Sequence, residues 1–258
     1  MTAPDAPFDP GNRLVVALDV PTRRDALDLV QRIGGAASWV KVGLELFCAA
    51  GPDLVRELTG MNLRVMLDLK LHDIPKTVEG AVRQAARLGV GLLTVHAPGG
   101  SAMLEAAVKA AREDSAGPTR TRILAVTVLT SLDDADLKAT GQAGSLLDLV
   151  LRRARLAAVA GCDGVVASAL EAALVRATFP EPFLIVTPGI RTIGGDLESS
   201  TLAGDQKRIA SPVAARRSGA DLIVVGRPVR EAEDPAAACR AIVRNLQLAG
   251  EASFAPID

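Results

Sequence analysis

Short runs of β-branched and other apolar residues alternate along the chain with longer segments whose apolar positions recur every three or four residues. The short runs are "RLVVALDV" from Arg13, "WVKVGL" from Trp39, "LRVMLDLK" from Leu63, "GLLTVHA" from Gly91, "RILAVTVL" from Arg122, "DGVVAS" from Asp163, "FLIVTPG" from Phe183 and "DLIVVG" from Asp221. Segments such as "TRRDALDLVQRIG", "PKTVEGAVRQAARLG" and "SAMLEAAVKAAREDS" lie between them, and their spacing predicts amphipathic helices. Strands apolar on both faces, each followed by a helix, predict a parallel sheet covered by helices. Eight such units in 258 residues point to an α/β fold, a single (β/α)8 TIM barrel. A doubly wound open sheet is the alternative. No composition shift marks a second domain, so residues 1–258 read as one barrel, with 1–12 and 250–258 as loose tails. The longest interruption, "RTIGGDLESSTLAGDQKR" after the seventh run, is polar and glycine-rich, and loops of that length usually act as lids.

Period-two alternation puts Met66, Asp68 and Lys70 on one face of the third strand and Val65, Leu67 and Leu69 on the other. The apolar face suits the helices. The charged face then points into the barrel near its C-terminal mouth, where barrel enzymes keep their active sites. Taken singly, these charges have plain structural explanations: Asp68 and Lys70 as an ion pair, and Asp73, ahead of Ile74 and Pro75, as the N-cap of the next helix. Lys41 is different. It is flanked by Val40 and Val42 on a strand with no evident route to water, and only six lysines occur beside twenty-three arginines. Asp19, closing the first strand, adds a carboxylate at the same mouth. With strands one to three adjacent, Asp19, Lys41, Asp68 and Lys70 form an array of alternating sign.

The eighth run ends "VVGRPVREAEDP". Gly226 permits close approach of an anion, Arg227 offers a guanidinium fork, and Pro228 opens a short helix before Asp234 and Pro235 start the last one. After the seventh strand, "TPGIR" ends in Arg191, and "GDQKR" beyond it supplies Gln206. Two arginines, an amide and backbone N–H groups on one rim fit a phosphate monoester. A strand-ending glycine followed by a solvated arginine is the plainer alternative.

Composition narrows the partners. Lysine plus arginine total 29 against 30 acidic residues, with no long basic run, so nucleic acid and anionic membrane surfaces are disfavoured and a small soluble substrate is favoured. The three cysteines are far apart and in no C-x-x-C spacing, which suggests neither a disulfide framework nor a zinc site. "MTAPDAPFDPGN" has no basic or apolar leader character, and no apolar stretch approaches the ~18 residues of a membrane span. The expected location is cytoplasmic.

"LDLKLHDIPKT" resembles the D-x-K-x-x-D-I-x-x-T signature of the orotidine 5′-phosphate decarboxylase family. It is joined in order by "ALDV", "VKVGLELF", "LTVHAPGG", "AVTVLTS", "TPGIR", "GDQKR" and "VGRP". The signature alone is shared by related phosphosugar barrels; the ordered set, from about Leu14 to Arg230, is specific. The resemblance implies conversion of orotidine monophosphate to UMP and carbon dioxide in pyrimidine synthesis, with no metal or organic cofactor. Lys70 would donate the proton to C6, Asp68 would stand beside the departing carboxylate, and Lys41 and Asp73 would complete the charge network. Asp19 and Lys41 would hold the ribose hydroxyls, Thr130 and Ser131 would lie by the pyrimidine, and Pro188 would border the base pocket. Arg191, Gln206, Gly226 and Arg227 would take the phosphate. A homodimer is implied, with Asp73, Ile74 and Thr77 contributed across its interface. Leu71 and Lys76 depart from residues more often aromatic and Asn in relatives. His96 fits the pattern and reads as a hydrogen-bonded core histidine. Two rivals remain: a metal-dependent phosphosugar lyase or aldolase, which Glu45 would help and Lys41 would oppose, and a non-catalytic nucleotide-binding barrel.

Overall fold

A computed structural model describes residues 13–116, 120–191 and 210–251. Eight parallel strands close into a barrel in strict chain order, and the eighth pairs with the first. They are β1 (Leu14–Ala17), β2 (Trp39–Gly43), β3 (Arg64–Leu71), β4 (Leu92–His96), β5 (Arg122–Val126), β6 (Gly164–Val166), β7 (Leu184–Thr187) and β8 (Leu222–Val225). Seven fall within the apolar runs and β3 extends one residue past its run, to Leu71, and closure rules out the open sheet.

Helices α1 (Arg23–Ile33), α2 (Leu44–Gly60), α3 (Pro75–Arg87) and α4 (Ser101–Asp114) follow the first four strands. α5 (Asp134–Ala139) and α6 (Leu146–Val159) follow β5, α7 (Ala169–Thr178) follows β6, and α8 (Pro212–Arg217) lies between β7 and β8. After β8 come α9 (Arg227–Arg230) and α10 (Pro235–Glu251). Their starts follow capping chemistry: the hydroxyls of Thr22, Ser145 and Ser211 accept amide N–H groups in the first turns of α1, α6 and α8. Residues 1–12 and 252–258 of the expected tails, and 192–209 of the expected lid, lie outside the described residues.

Alternation sorts the strand residues into two cores. Val16, Val40, Leu67, Leu93, Ile123, Val165, Ile185 and Ile223 face the helices. Val15, Ala17, Trp39, Met66, Leu92, Leu124, Val126, Val166, Leu184, Val186, Leu222 and Val224 fill the barrel. Trp39 blocks the lower end so tightly that a Cβ on Gly91 would stand 2.7 Å from its ring, which explains a glycine there. Below the strands, Asp163 and Asp221 perform the same task twice. Each carboxylate accepts an N–H of the preceding strand, Ile123 or Ile185, at 2.8 Å, and pairs with an arginine, Arg120 or Arg176. Charge at this end serves closure. The upper end is left for chemistry.

Candidate active site

The registers of β1, β2 and β3 bring the predicted charges together. Ala17 is level with Lys41, and Gly43 with Asp68, so the barrel-facing side chains of three neighbouring strands meet at the mouth. Lys41 Nζ lies 2.8 Å from Asp19 Oδ1 and 3.8 Å from Asp68 Oδ2, and Lys70 Nζ lies 2.8 Å from Asp68 Oδ2. The order Asp19, Lys41, Asp68, Lys70 is therefore a continuous chain of alternating sign. Lys41 is 9% exposed, as its apolar flanks predict. Asp19, Lys41, Gly43, Glu45, Asp68 and Lys70 share the lining of a cavity of about 150 Å³.

Three features were not legible in the alternation. The β3–β4 register shifts between Leu67 and Leu71, and within that bulge Lys70 has a left-handed backbone with φ of 51°. A non-glycine residue in this region is strained, and such strain clusters at functional sites. Thr94, fully buried on β4, supports it: its hydroxyl accepts the Lys70 N–H at 2.9 Å and donates to Asp68 Oδ1 at 2.9 Å. A threonine inside "LLTVH" carries no sequence signal beyond strand propensity. Gly43 was also missed, although a Cβ there would stand 3.1 Å from Lys41 Nζ and 3.5 Å from Asp19 Oδ1.

Burial opposes ionisation of Asp68, but the charges of Lys70 and Lys41, with hydrogen bonds from Lys70 and Thr94, outweigh it and hold the carboxyl below its ordinary range. The site thus keeps a buried anion between two ammonium groups. Lys70, the less enclosed of the two lysines, reaches the cavity with its side chain 30% exposed.

Asp73 corrects one expectation. It does not cap α3; the N-cap is Ile74, without a side-chain bond, and the Asp73 carboxylate takes the adjacent Ile74 N–H at 2.6 Å. Pro75 at the start of the helix needs no N–H partner, which removes one of the donors a cap would serve. Asp73, Ile74 and Thr77 are all exposed, Ile74 by 66%, and among the described residues no ion pair joins Asp73 to Lys41 or Lys70. His96 also differs from expectation. Its ring is partly exposed and packs against His72 with centroids 5.5 Å apart, and among the described residues no hydrogen bond reaches it. Burial, then the charges of His72, Lys70 and Arg153, lower its pKa.

Among the described residues of the predicted phosphate rim, Gly226 stands against the array. Gly226 follows β8, which pairs with β1, and a Cβ on it would stand 3.6 Å from Asp19 Oδ2. Arg227 opens α9 with Pro228 behind it, as the sequence suggests, and is exposed. Pro188 and Arg191 are partly buried after β7, where the Arg191 N–H donates to the Ala210 carbonyl at 2.9 Å. Gln206 lies outside the described residues. Thr130 is partly buried and Ser131 exposed above β5. The Arg153 guanidinium props the approach to them by donating to the Thr127 carbonyl at 2.7 Å.

Closed barrel and charged upper mouth define the class: a (β/α)8-barrel enzyme with its site at the carboxyl ends of its strands. The model of the orotidine 5′-phosphate decarboxylase / HUMPS family matches residues 12–242. The orotidine 5′-phosphate decarboxylase of Anaeromyxobacter dehalogenans (strain 2CP-1 / ATCC BAA-258) is 52% identical over 237 residues, 92% of this chain and 99% of that one. That of Methylobacterium sp. (strain 4-46) is 50% identical over 242 residues, 93% of this chain and 98% of that one. The crystal structure of the Lactobacillus acidophilus orotidine 5′-phosphate decarboxylase superposes with a TM-score of 0.80 at 36% identity, covering 91% of this chain and 99% of that one. The chain belongs to the orotidine 5′-phosphate decarboxylase / HUMPS family and is a carbon–carbon lyase.

Proposed function

We propose that the protein removes carbon dioxide from orotidine 5′-phosphate to give UMP, in pyrimidine synthesis, with Lys70 as the proton donor to C6 and no metal or organic cofactor. The observation that carries the reading is the Asp19–Lys41–Asp68–Lys70 chain at the barrel mouth. Loss of carbon dioxide from C6 leaves an electron pair in an sp² orbital that the ring cannot delocalise well, so the developing negative carbon needs an adjacent positive charge. Lys70 supplies it and then delivers a proton to the same carbon. Asp68, held ionised, stands beside the substrate carboxylate and favours its departure, while Lys41 and Thr94 keep Asp68 fixed. Because these charges are in place before substrate arrives, little reorganisation remains for the reaction itself.

Asp19 and Lys41 suit the ribose hydroxyls, Thr130, Ser131 and Pro188 the base, and Arg191, Gln206, Gly226 and Arg227 the phosphate. Phosphate binding changes no bond, yet its energy can be used to align the charges with the reacting carbon. The exposed Asp73, Ile74 and Thr77 suit a homodimer in which each subunit completes the other's site. The metal-dependent alternative meets a specific obstacle: the carboxylates that would bind a divalent cation already hold ammonium groups, Asp19 and Asp68 on either side of Lys41 and Asp68 also on Lys70. No helix among the described residues is long and apolar enough to cross a membrane, which is compatible with a cytoplasmic enzyme. Carbon dioxide release from orotidine 5′-phosphate by protein stripped with a chelator tests the reading. Release that persists supports it; release restored only by magnesium supports the metal-dependent alternative, and none under any condition supports a binding protein.

A further inference from the structure

β1 ends early. The strand proper ends at Ala17, the Leu18 N–H still donates to the Lys41 carbonyl at 3.0 Å, and the Asp19 carbonyl lies one residue beyond. Arg230 takes it. From the end of α9, 211 residues further along the chain, the guanidinium donates Nη1 to the Asp19 carbonyl at 2.6 Å and Nη2 to Glu231 at 2.7 Å. The Glu231 pair joins sequence neighbours at the surface, where such pairs contribute little. The bond to Asp19 joins two different parts of the mouth.

α9 has only four residues and one buried side chain, Val229. Its backbone is anchored on Gly226, whose carbonyl accepts the N–H groups of Val229 and Arg230 at 3.0 Å. Arg32, in the last turn of α1, holds the chain leaving α9 through the carbonyls of Ala232 and Glu233 at 3.0 and 3.1 Å. Two arginines thus stitch α9 and its exit to β1 and α1. Through Arg230 the stitch reaches Asp19, whose carboxylate is about half exposed and holds the ammonium of Lys41.

We propose that Arg230 is a positioning residue that couples the segment carrying Arg227 to the Asp19–Lys41 pair, so that seating of the phosphate fixes the charged array. This rests on the function proposed above. With Arg230 in place, a shift of α9 toward a bound phosphate is carried to the Asp19 backbone and from there to Lys41. Without it, α9 is joined to β1 through the β8–β1 ladder alone, and a shift of α9 no longer pulls directly on the Asp19 carbonyl.

The test compares wild type, Arg230→Ala, Arg230→Lys and Arg227→Ala with orotidine 5′-phosphate and with orotidine, alongside thermal melting. Arg230→Ala is expected to lower kcat/KM for the nucleotide by about tenfold, the size of one lost charge-assisted hydrogen bond, mainly through kcat. Its kcat/KM for orotidine should stay within about twofold of wild type, since the nucleoside has no phosphate to seat. Arg230→Lys should recover only part of the loss, because a single ammonium does not reproduce the guanidinium fork. Should the alanine variant fail to fold, the lysine variant carries the same comparison. Equal losses for both compounds, or no loss for either, would overturn the coupling. Selective loss in Arg227→Ala with none at Arg230 overturns the coupling alone, whereas a wild type that turns over no orotidine 5′-phosphate overturns the proposed function and the coupling with it.

Discussion

Lys70 Nζ stands 2.8 Å from Asp68 Oδ2, two residues back on the same strand, across a bulge at which the Lys70 backbone is left-handed. Strain of this kind persists only where the surroundings enforce it. Thr94 provides that support, since one hydroxyl holds both the Lys70 N–H and the second oxygen of Asp68.

Thr94→Val keeps the shape of the side chain and removes its hydrogen bonds. The variant is expected to lose about 1–3 kcal/mol of stability, because buried groups of Asp68 and Lys70 are left unpaired. Its kcat should fall by about tenfold as the ammonium loses its fixed aim. Denaturant unfolding and steady-state kinetics check both; unchanged kcat would show that Thr94 does not hold the array.

Asp68 makes stability depend on acid. Its folded pKa lies below the unfolded one, so its contribution is complete above about pH 4 and fades as the pH falls through the folded value. The melting temperature of wild type should exceed that of Asp68→Asn near neutrality, and the gap should close in the acid range. A gap that stays constant with pH would contradict the paired, ionised Asp68 described here.

Gly43 leaves room for the Lys41–Asp19 pair. Its φ of −93° suits any residue, so Gly43→Ala should change stability by less than about 1 kcal/mol. The added methyl must displace Lys41 Nζ, however, and activity is expected to drop by about tenfold or more. Wild-type kcat in this variant would mean that the position of Lys41 does not matter to the reaction.

If Asp73 acts across an interface, Lys70→Ala and Asp73→Ala are lesions of different subunits at any one site. Each should be inactive alone. After subunit exchange in equal mixture, about a quarter of wild-type activity should return, since roughly half the dimers are mixed and each has one intact site. No recovery despite exchange shown by differently tagged subunits would place Asp73 in its own chain's site.

The sequence carried what depended on local contrast. Eight apolar runs stood out against amphipathic helices, and Lys41, Asp68 and Lys70 stood out because charge on a buried strand must be paired or used. What it lacked depended on registration between distant segments. The bulge at Lys70 exists only relative to β4, Thr94 matters only because it lies beside Asp68, and Arg230 finds Asp19 only because β8 closes on β1. Asp73 was misleading for the opposite reason: its local pattern fits a helix cap, but its carboxylate turns to the neighbouring amide. The loops proposed for the phosphate stood out by their glycine, arginine and amide content, yet the adjacency of Gly226 to Asp19 follows from barrel closure alone.

The central claim is that a fixed ammonium does the work of a cofactor at C6, and Lys70→Ala addresses it most directly. Carbon dioxide release from orotidine 5′-phosphate should fall below detection in this variant, while UMP affinity stays within about tenfold and the fold is retained. Turnover near the wild-type rate, in protein that folds and binds UMP normally, would remove Lys70 as the acid and with it the mechanism proposed here.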